Sequence, residues 1–420
     1  MGKELWFRRS GVAVAAVAVA GLMGALVGGS AEAGPAAATG GVTAATAGVS
    51  GRPLALSAEV SDAAVTRAAN QAPEVALVSA MSPSQLAGQR VIYAYSGLAP
   101  PPGLLSLIRQ GDVGGVIVFA ANYQSRSQFT AAVSQLEAAN QAATNPARDY
   151  PLLLMTDQEG GNVRRLPGAP VQSENWIGSR STASGGAYQA REAGSGVAAS
   201  LLSYGLNVNL APVLDVYRAP GDFDDQFQRS YSMSPQVVSA LGADFISAQQ
   251  SGGVAATAKH FPGLGAATAG EDTDLGPVTI RVSKATLQSN DEYPYEAAIG
   301  ANVDLVMVSW ATYPALGSNL PAGLSPTIVQ GQLRTRLGFQ GVTITDAIGA
   351  GALAAYGSTQ ARALMAAEAG MQLILASDSV TQGADCMSAL AAAFRDGKLS
   401  GAAFRATVAQ ILTLRSSLRP

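Results

Sequence analysis

Short apolar runs recur along the chain between residues 90 and 375, and longer segments of mixed polar and apolar residues separate them. The runs are rich in Val, Ile and Leu and lack strict alternation, which is typical of strands that are buried on both faces. We predict eight strands, at Arg90–Tyr95, Gly115–Phe119, Leu152–Thr156, Val208–Ala211, Val254–Ala258, Leu305–Val308, Val342–Thr345 and Gln372–Leu375.

The segments between these strands have the composition of helices. We predict helices that include Ser127–Ala143, Ala190–Tyr204, Pro235–Ser251, Tyr295–Ala301, Thr359–Ala369 and Gly383–Asp396. Strand and helix patterns that alternate over this length predict an α/β fold, a single-domain (β/α)8 TIM-type barrel. A doubly wound open sheet is the alternative. No phosphate-binding glycine motif follows the first strand, which counts against a dinucleotide-binding domain.

The N-terminus has the pattern of an export signal. Basic residues precede an apolar run over residues 11–27, and Ala31-Glu32-Ala33 supplies the small residues of a cleavage site. We predict a signal peptide over residues 1–33, a low-complexity linker over residues 34–55 and the barrel domain over residues 56–420. The mature protein is then secreted or held in the cell envelope, and a retained membrane anchor is the alternative. The pattern leaves the choice between general and twin-arginine export open.

Composition narrows the function classes. Hydrophobic residues make up 48% of the 420 positions and charged residues 13%, which is enough to bury a large core. The formal net charge of -3 offers no basic surface for nucleic acid. A single cysteine, Cys386, and a single histidine, His260, exclude a disulfide framework and a metal cluster built from cysteine or histidine. We expect a monomer without metal, cofactor, nucleic-acid partner or membrane span after signal cleavage.

Polar residues follow several of the predicted strands. The carboxyl ends of barrel strands meet on one face, so these side chains are expected to surround one pocket. Asp157, Arg165, Arg229 and Lys259 offer acceptors and donors that suit a polyhydroxylated ligand. Asp346 directly follows the seventh predicted strand, so its carboxylate is a candidate nucleophile, general base or metal ligand. The alternative for Asp346 is a cap on the next helix.

The segment Ala256–Gly265 contains the lone histidine with a lysine beside it. Neighbouring side chains of a strand point to opposite faces, so Lys259 and His260 reach one pocket only if the backbone leaves ideal strand geometry. A bulge, or a cis bond next to Pro262, provides that departure. The alternative is a hydrogen-bonded core histidine beside a lysine that extends to solvent.

Five motifs stand in a fixed order along the chain. They are Asp157-Gln-Glu-Gly-Gly161 with Arg165-Leu166, Arg229-Ser-Tyr231, Lys259-His-Phe-Pro-Gly-Leu-Gly265, Val306-Met-Val-Ser-Trp-Ala311 and Thr345-Asp346. In this order they resemble glycoside hydrolase family 3, and within it the single-domain β-N-acetylhexosaminidases. The resemblance covers about residues 89–414.

The resemblance implies roles for particular residues. The residues that hold the terminal sugar are Asp157, Arg165, Arg229, Lys259 and His260. Asp346 matches the catalytic nucleophile of an enzyme that retains anomeric configuration through a covalent glycosyl-enzyme. Because the chain ends soon after the eighth predicted strand, we expect the hexosaminidase branch.

The expected activity follows from that branch. We expect an exported hydrolase that releases terminal β-linked sugars, foremost β-N-acetylglucosaminides from cell-wall or chitin fragments. A β-glucosidase or β-xylosidase of the same family is one alternative, and a non-catalytic wall-sugar-binding protein is another.

The chain departs from the family pattern at the acid/base. The hexosaminidase branch takes this group from an aspartate–x–histidine dyad on the loop after the lysine–histidine motif. Here that loop, residues 266–277, contains Glu271, Asp272 and Asp274 but no histidine. Clustered acids raise one another's pKa, so a carboxylate of Glu271, Asp272 or Asp274 is the candidate acid/base. Asp272 is the first choice, because it falls where the dyad histidine is expected.

Two alternatives to a carboxylate acid/base on this loop stay open. In the first, the enzyme has no general acid and is slow or needs an activated leaving group, because losing a general acid lowers the rate on the order of 10²- to 10⁴-fold. Alternatively, the chain binds sugar without hydrolysing it. The acidic loop itself has a simpler alternative, which is a solvated loop without a catalytic role.

Overall fold

Eight parallel strands close into a barrel in the computed structural model, which describes residues 72–144, 146–181 and 185–418. The barrel strands are β1 (Val91–Tyr93), β2 (Gly115–Ile117), β3 (Leu153–Thr156), β6 (Val208–Asn209), β7 (Ala255–Phe261), β8 (Leu305–Val308), β9 (Val342–Ala347) and β10 (Leu373–Leu375). Around the barrel the order is β1-β10-β9-β8-β7-β6-β3-β2. The predicted signal peptide and linker, with the start of the predicted domain, lie outside the described residues.

All eight predicted strands are present, so the barrel is confirmed and the doubly wound sheet is wrong. Two strands extend further than predicted. Strand β7 reaches Phe261, which pairs with Val308, and β9 reaches Ala347, which pairs with Leu375. The candidate residues on these two strands therefore lie within the strands rather than after them.

A two-stranded antiparallel hairpin, β4 (Gln158–Gly160) and β5 (Val163–Arg164), directly follows β3. The sequence analysis did not predict it. Gly160 ends β4 and Gly161 begins the turn, with φ of 108° and 53°. A Cβ on Gly160 would lie 2.2 Å from the carbonyl oxygen of Gln172, so both the positive φ and the close approach require glycine there.

Helices surround the barrel, and the predicted ones are confirmed. The α-helices are Ala72–Ala80, Pro83–Gly88, Pro102–Gln110, Arg126–Gln141, Glu174–Gly178, Gly185–Leu202, Phe223–Gln226, Pro235–Ser251, Lys284–Thr286, Tyr293–Gly300, Thr359–Ala369, Val380–Arg395 and Gly401–Ser417. Wider π-helical turns span Leu287–Asp291 and Thr327–Arg336, and 3₁₀ turns span Ala120–Asn122, Pro314–Leu316, Ala322–Leu324 and Gly351–Tyr356.

Serines begin several of the long helices. The side chains of Ser125, Ser234, Ser358 and Ser379 each accept a hydrogen bond from the backbone N–H three residues on, which satisfies a donor that the helix leaves unpaired. Among the described helices, none combines the length and apolar character that a membrane crossing requires.

The last helix, Gly401–Ser417, covers one end of the barrel. Its Ile411 and Leu414 join the buried side chains of the barrel interior. Its buried Arg415 donates to the carbonyls of Tyr150 and Pro151, which precede β3, at 2.8 Å each. The amino ends of the strands are therefore covered, and the polar pocket lies at their carboxyl ends.

Candidate active site

One pocket at the carboxyl ends of the strands is lined by all seven residues that the sequence singled out. They are Asp157, Arg165, Arg229, Lys259, His260, Asp272 and Asp346. The empty space of the pocket is about 730 Å³ when the open solvent at its mouth is included. Its floor is apolar, formed by Ile117, Leu210, Met307 and Leu375.

Strand β7 brings two consecutive side chains into this pocket. The pairing of β7 with β8 shifts between Ala258 and Phe261, and both the Lys259–His260 and Phe261–Pro262 peptide bonds are cis. The expected departure from ideal strand geometry is therefore confirmed. Lys259 is only 1% exposed, so the alternative of a lysine that extends to solvent is wrong.

A buried ion-pair network joins the cations of the pocket to two carboxylates. The Lys259 ammonium lies 2.9 Å from Oδ1 of Asp157 and 2.7 Å from Oε1 of Glu159. The Arg229 guanidinium donates two bonds of 2.9 Å to Glu159. Arg165 lies 3.6 Å from the other oxygen of Asp157. The cations are thereby held in fixed positions with their charge largely balanced.

Glu159 is a residue that the sequence analysis missed. It stands two positions after Asp157, and this spacing places both carboxylates on one face of an extended segment. The glutamate is 2% exposed and lies behind Arg229 and Lys259 rather than at the pocket wall. The i, i+2 spacing of the two acids within the glycine-containing motif is the signal that could have found it.

Charge sets the protonation of these two carboxylates. Burial opposes ionisation, but the cations outweigh it. Arg229 and Lys259 lower the pKa of Glu159 to about 2, while Lys259 and Arg165 hold the pKa of Asp157 well below its usual range. Both groups are therefore ionised at neutral pH and suit charge balance and hydroxyl binding rather than proton transfer.

Arg165 directly follows the hairpin, and some of its guanidinium N–H donors are not hydrogen-bonded. The amide of Gln158 donates to the carbonyl of Leu166 at 2.9 Å and accepts from its N–H at 3.1 Å, which fixes the backbone beside Arg165. Within the described part of the chain, Nε and Nη1 of Arg165 have no hydrogen-bond partner. Unpaired guanidinium donors beside a polar pocket suit a ligand that supplies acceptors.

Two further buried acids surround His260, and both were missed by sequence analysis. Oδ2 of Asp215 lies 2.6 Å from Nδ1 of His260. Asp224 lies beside Asp215, and its carboxylate is 3.4 Å from Nη1 of Arg229. No spacing rule links Asp215 or Asp224 to residue 260, because the barrel brings their loops together.

These three residues offer ligand atoms that lie within 4.8 Å of one another, a spacing that can hold a metal ion. The sequence analysis did not predict this cluster. Arg229 lies 3.4 Å from both Asp224 and Nε2 of His260, so a positive charge already occupies this position. The group fits a hydrogen-bond network better than a cation site.

Asp346 is the penultimate residue of β9, and its Oδ1 accepts from the N–H of Ala347 at 2.7 Å. The following 3₁₀ turn begins after Ala350, so the helix-cap alternative for Asp346 is wrong. Burial raises the pKa of Asp346 and Asp274 adds to that rise, while the N–H of Ala347 and the charge of Lys259 oppose it. The indole N–H of buried Trp310 donates to the carbonyl of Ala347 at 2.9 Å, which anchors the strand end.

The acidic loop is packed against the segment that follows Asp346. The N–H groups of Gly351 and Ala352 donate to the carbonyls of Asp274 and Thr273, at 2.9 Å and 3.0 Å. The loop is thus held at the pocket by backbone hydrogen bonds, unlike the solvated loop of the alternative interpretation.

The three acids of this loop differ in position. Asp272 and Asp274 line the pocket. The carboxylate of Glu271 instead accepts from the backbone N–H and the hydroxyl of Thr268, at 2.8 Å and 3.0 Å. Burial raises the pKa of Asp272 while one of its oxygens accepts from the N–H of Asp274 at 2.8 Å. A half-buried carboxyl with a raised pKa, on the same pocket as a second carboxyl, has the chemistry of a general acid.

Polar side chains surround a pocket at the carboxyl ends of the strands of a closed (β/α)8 barrel. Enzymes with this fold have their active sites at the same end of the barrel. The Glycosyl hydrolase family 3 N terminal domain matches residues 99–414. The chain belongs to glycosyl hydrolase family 3, and it is a glycosidase.

Relatives of known sequence and structure agree with this assignment. An uncharacterized secreted glycosyl hydrolase from Arthroderma benhamiae is 44% identical over 84% of this chain and 97% of the relative. A beta-hexosaminidase from Stenotrophomonas maltophilia is 35% identical over 64% of this chain and 77% of the relative. The structure of a glycoside hydrolase family 3 beta-N-acetylglucosaminidase from Paenibacillus sp. superposes with a TM-score of 0.74 at 32% identity. That superposition covers 80% of this chain and 63% of the Paenibacillus chain.

Proposed function

We propose that the protein is an exported, retaining glycoside hydrolase that releases terminal β-linked N-acetylglucosamine from cell-wall or chitin fragments. The observation that carries the proposal is the pair Asp346 and Asp272, two carboxyls with raised pKa on one pocket whose other polar residues suit sugar hydroxyls. The names of the Stenotrophomonas and Paenibacillus relatives support the sugar. The N-terminal pattern and the secreted relative support export.

In the first step, the Asp346 carboxylate attacks the anomeric carbon of the terminal sugar. The bond from that carbon to the leaving oxygen breaks, and its electron pair goes to the oxygen, which takes a proton from Asp272. Asp157, Arg165, Arg229, Lys259 and His260 hold the sugar during this step. The product is a glycosyl ester on Asp346.

In the second step, the Asp272 carboxylate takes a proton from water while the water oxygen attacks the same carbon. The ester bond breaks, Asp346 recovers its electron pair, and Asp272 is again protonated. Two inversions give net retention. The raised pKa of Asp272 suits the first step, because a general acid must hold its proton near the working pH.

Position excludes Glu271 from the acid role, and the raised pKa of Asp272, at the place of the missing histidine, favours it over Asp274. The carboxylate of Glu271 accepts hydrogen bonds from Thr268 within the loop, and Glu271 does not line the pocket. Asp274 lines the pocket and interacts with Asp346, so it raises the pKa of Asp346 in this scheme. We assign proton transfer to Asp272 and the tuning of Asp346 to Asp274.

The test compares substrates with good and poor leaving groups. Asp272→Ala should lower kcat/KM for a β-N-acetylglucosamine disaccharide by about 10²- to 10⁴-fold. It should leave kcat/KM for a nitrophenyl β-N-acetylglucosaminide nearly unchanged, because that leaving group needs no proton. Azide, which needs no general base, should restore kcat of the variant and yield the glycosyl azide.

The matched control is Glu271→Ala, in the same loop but outside the pocket, which should behave as the wild type. Equal losses on both substrates would remove Asp272 from the acid role, and the selective loss appearing in Asp274→Ala would reassign it. Faster turnover of a β-glucoside or β-xyloside than of the β-N-acetylglucosaminide would favour a β-glucosidase or β-xylosidase. Measurable sugar binding without turnover of any activated glycoside would favour a wall-sugar-binding protein.

A further inference from the structure

We propose that Asp215 is a positioning residue that fixes His260 as the neutral tautomer with the proton on Nδ1. In this tautomer Nε2 is a hydrogen-bond acceptor facing the pocket. The pocket then recognises a donor group, a sugar hydroxyl, at this position. The sugar part of the inference rests on the proposed function, whereas the tautomer does not.

The carboxylate of Asp215 is fully buried, and donors surround it. The N–H of Leu264 donates to Oδ1, and the N–H of His260 lies 3.3 Å from both oxygens. Nδ1 of His260 lies 2.6 Å from Oδ2. Burial raises the pKa of Asp215 to about 6, and the backbone N–H groups of Leu264 and His260 oppose that rise. The carboxyl is therefore ionised at neutral pH and can only accept, so the proton in the short contact belongs to Nδ1.

The other side of the imidazole leads to the same tautomer. Nε2 of His260 lies 3.4 Å from Nη2 of Arg229, and a guanidinium nitrogen can only donate. A proton on Nε2 would direct N–H against N–H at this contact. Burial and the neighbouring Arg229 lower the pKa of His260 to about 4, so the ring is neutral at neutral pH. Neutral imidazole with Nδ1 protonated is the form that satisfies both neighbours.

The acceptor at Nε2 is available to a ligand. Its contact with Arg229 is long for a hydrogen bond, and His260 lines the pocket. A hydroxyl that donates at about 2.8 Å makes a better bond there. Asp215 thus acts on the sugar through His260, without touching the pocket itself.

The variant Asp215→Asn separates this role from simple packing. The asparagine amide has one acceptor oxygen and one donor nitrogen. If the N–H of Leu264 keeps the oxygen, the NH₂ group faces Nδ1, and Nδ1 must become the acceptor. The proton then moves to Nε2, as expected when a carboxylate that sets a histidine tautomer is replaced by an amide.

The experiment is ¹⁵N NMR of the full chain labelled at histidine, which reports one imidazole because His260 is the only histidine. The expected wild-type spectrum shows a protonated Nδ1 and an unprotonated Nε2 at neutral pH, and Asp215→Asn shows the proton on Nε2. Asp215→Asn should also lower kcat/KM on the order of 10- to 100-fold. The control Asp112→Asn changes another buried aspartate, next to the amino end of β2, and should keep the wild-type spectrum.

A wild-type spectrum with the proton on Nε2 would overturn the proposal, and so would an unchanged tautomer in Asp215→Asn. If the variant does not fold, the wild-type spectrum alone decides. The spectrum needs no turnover, so a failure of the proposed activity leaves the tautomer assignment of His260 unaffected.

Discussion

The backbone N–H of Gly351 donates to the carbonyl of Asp274 at 2.9 Å, which ties the acidic loop to the segment after Asp346. The two proposed reacting carboxyls, Asp272 and Asp346, therefore belong to elements that are bonded to each other. This contact helps to fix the distance between the nucleophile and the acid. Small displacements of reacting groups lower the reaction rate by large factors, so the contact should matter for activity.

Gly351→Ala should disturb that contact. A Cβ at position 351 would lie 2.5 Å from the carbonyl carbon and oxygen of Leu275, so the loop must move. We expect a loss of kcat/KM on the order of tenfold to a hundredfold for unactivated substrates, and a smaller loss for nitrophenyl substrates. The matched control is Gly276→Ala in the same loop, where a Cβ meets nothing within 4 Å. Equal effects of the two substitutions would contradict the proposed role of the contact.

Glu159→Gln should destabilise the protein at neutral pH. The substitution removes a carboxylate that Arg229 and Lys259 share, which leaves Arg229 with Asp224 and Lys259 with Asp157 as their remaining anionic partners. The free energy of unfolding should fall by about 3 kcal/mol. Urea denaturation measures this difference. Glu192→Gln, on an exposed helix surface, is the control and should change stability by less than about 0.5 kcal/mol.

The lowered pKa of Glu159 predicts that the stability difference between the wild type and Glu159→Gln depends on pH. Because the folded pKa of Glu159 is lowered to about 2, its contribution to stability is present above the ordinary pKa near 4.5 and is lost as pH falls towards 2. The stability difference between wild type and Glu159→Gln should therefore be constant between pH 6 and pH 8 and shrink below about pH 4.5. A difference that stays constant down to pH 3 would show that Glu159 does not titrate with a lowered pKa.

Trp310→Phe should affect the nucleophile indirectly. The substitution removes the indole N–H from the buried carbonyl of Ala347, and an unpaired buried acceptor costs about 1–3 kcal/mol of stability. Because Ala347 follows Asp346, we expect kcat to fall more than KM rises. Trp176→Phe, at a half-buried tryptophan under Arg180, is the control. A loss of stability with unchanged kcat would separate Trp310 from the positioning of Asp346.

The sequence predicts the barrel well because each strand is a local signal. Runs such as Leu305–Val308 are apolar on both faces, and the observed β8 has the same bounds. Strands β7 and β9 end later than predicted, because each continues through its polar residues to an apolar one, Phe261 or Ala347, that pairs with the next strand. Local patterns carry no information about such pairing.

Most of the site residues could be predicted because they belong to recognisable sequence motifs. The seven residues chosen from the sequence all reach one pocket. Glu159 and Asp215 were not chosen, because their partners Lys259 and His260 become neighbours only when the barrel closes. Asp224 was not chosen either, although its partner Arg229 lies only five residues further along the chain. Which acid of the loop faces the pocket also depended on folding, since Glu271 and Asp272 are adjacent in sequence and differ in their contacts.

The most direct test of the central claim is to trap the covalent intermediate. A fluorinated N-acetylglucosaminyl substrate that forms the glycosyl-enzyme quickly and hydrolyses slowly should add one sugar mass to the protein. Mass spectrometry of the digested protein should place that mass on Asp346, and Asp346→Asn should neither be labelled nor turn over a nitrophenyl substrate. A label on another residue, or wild-type turnover by Asp346→Asn, would contradict the assignment of Asp346 as the nucleophile.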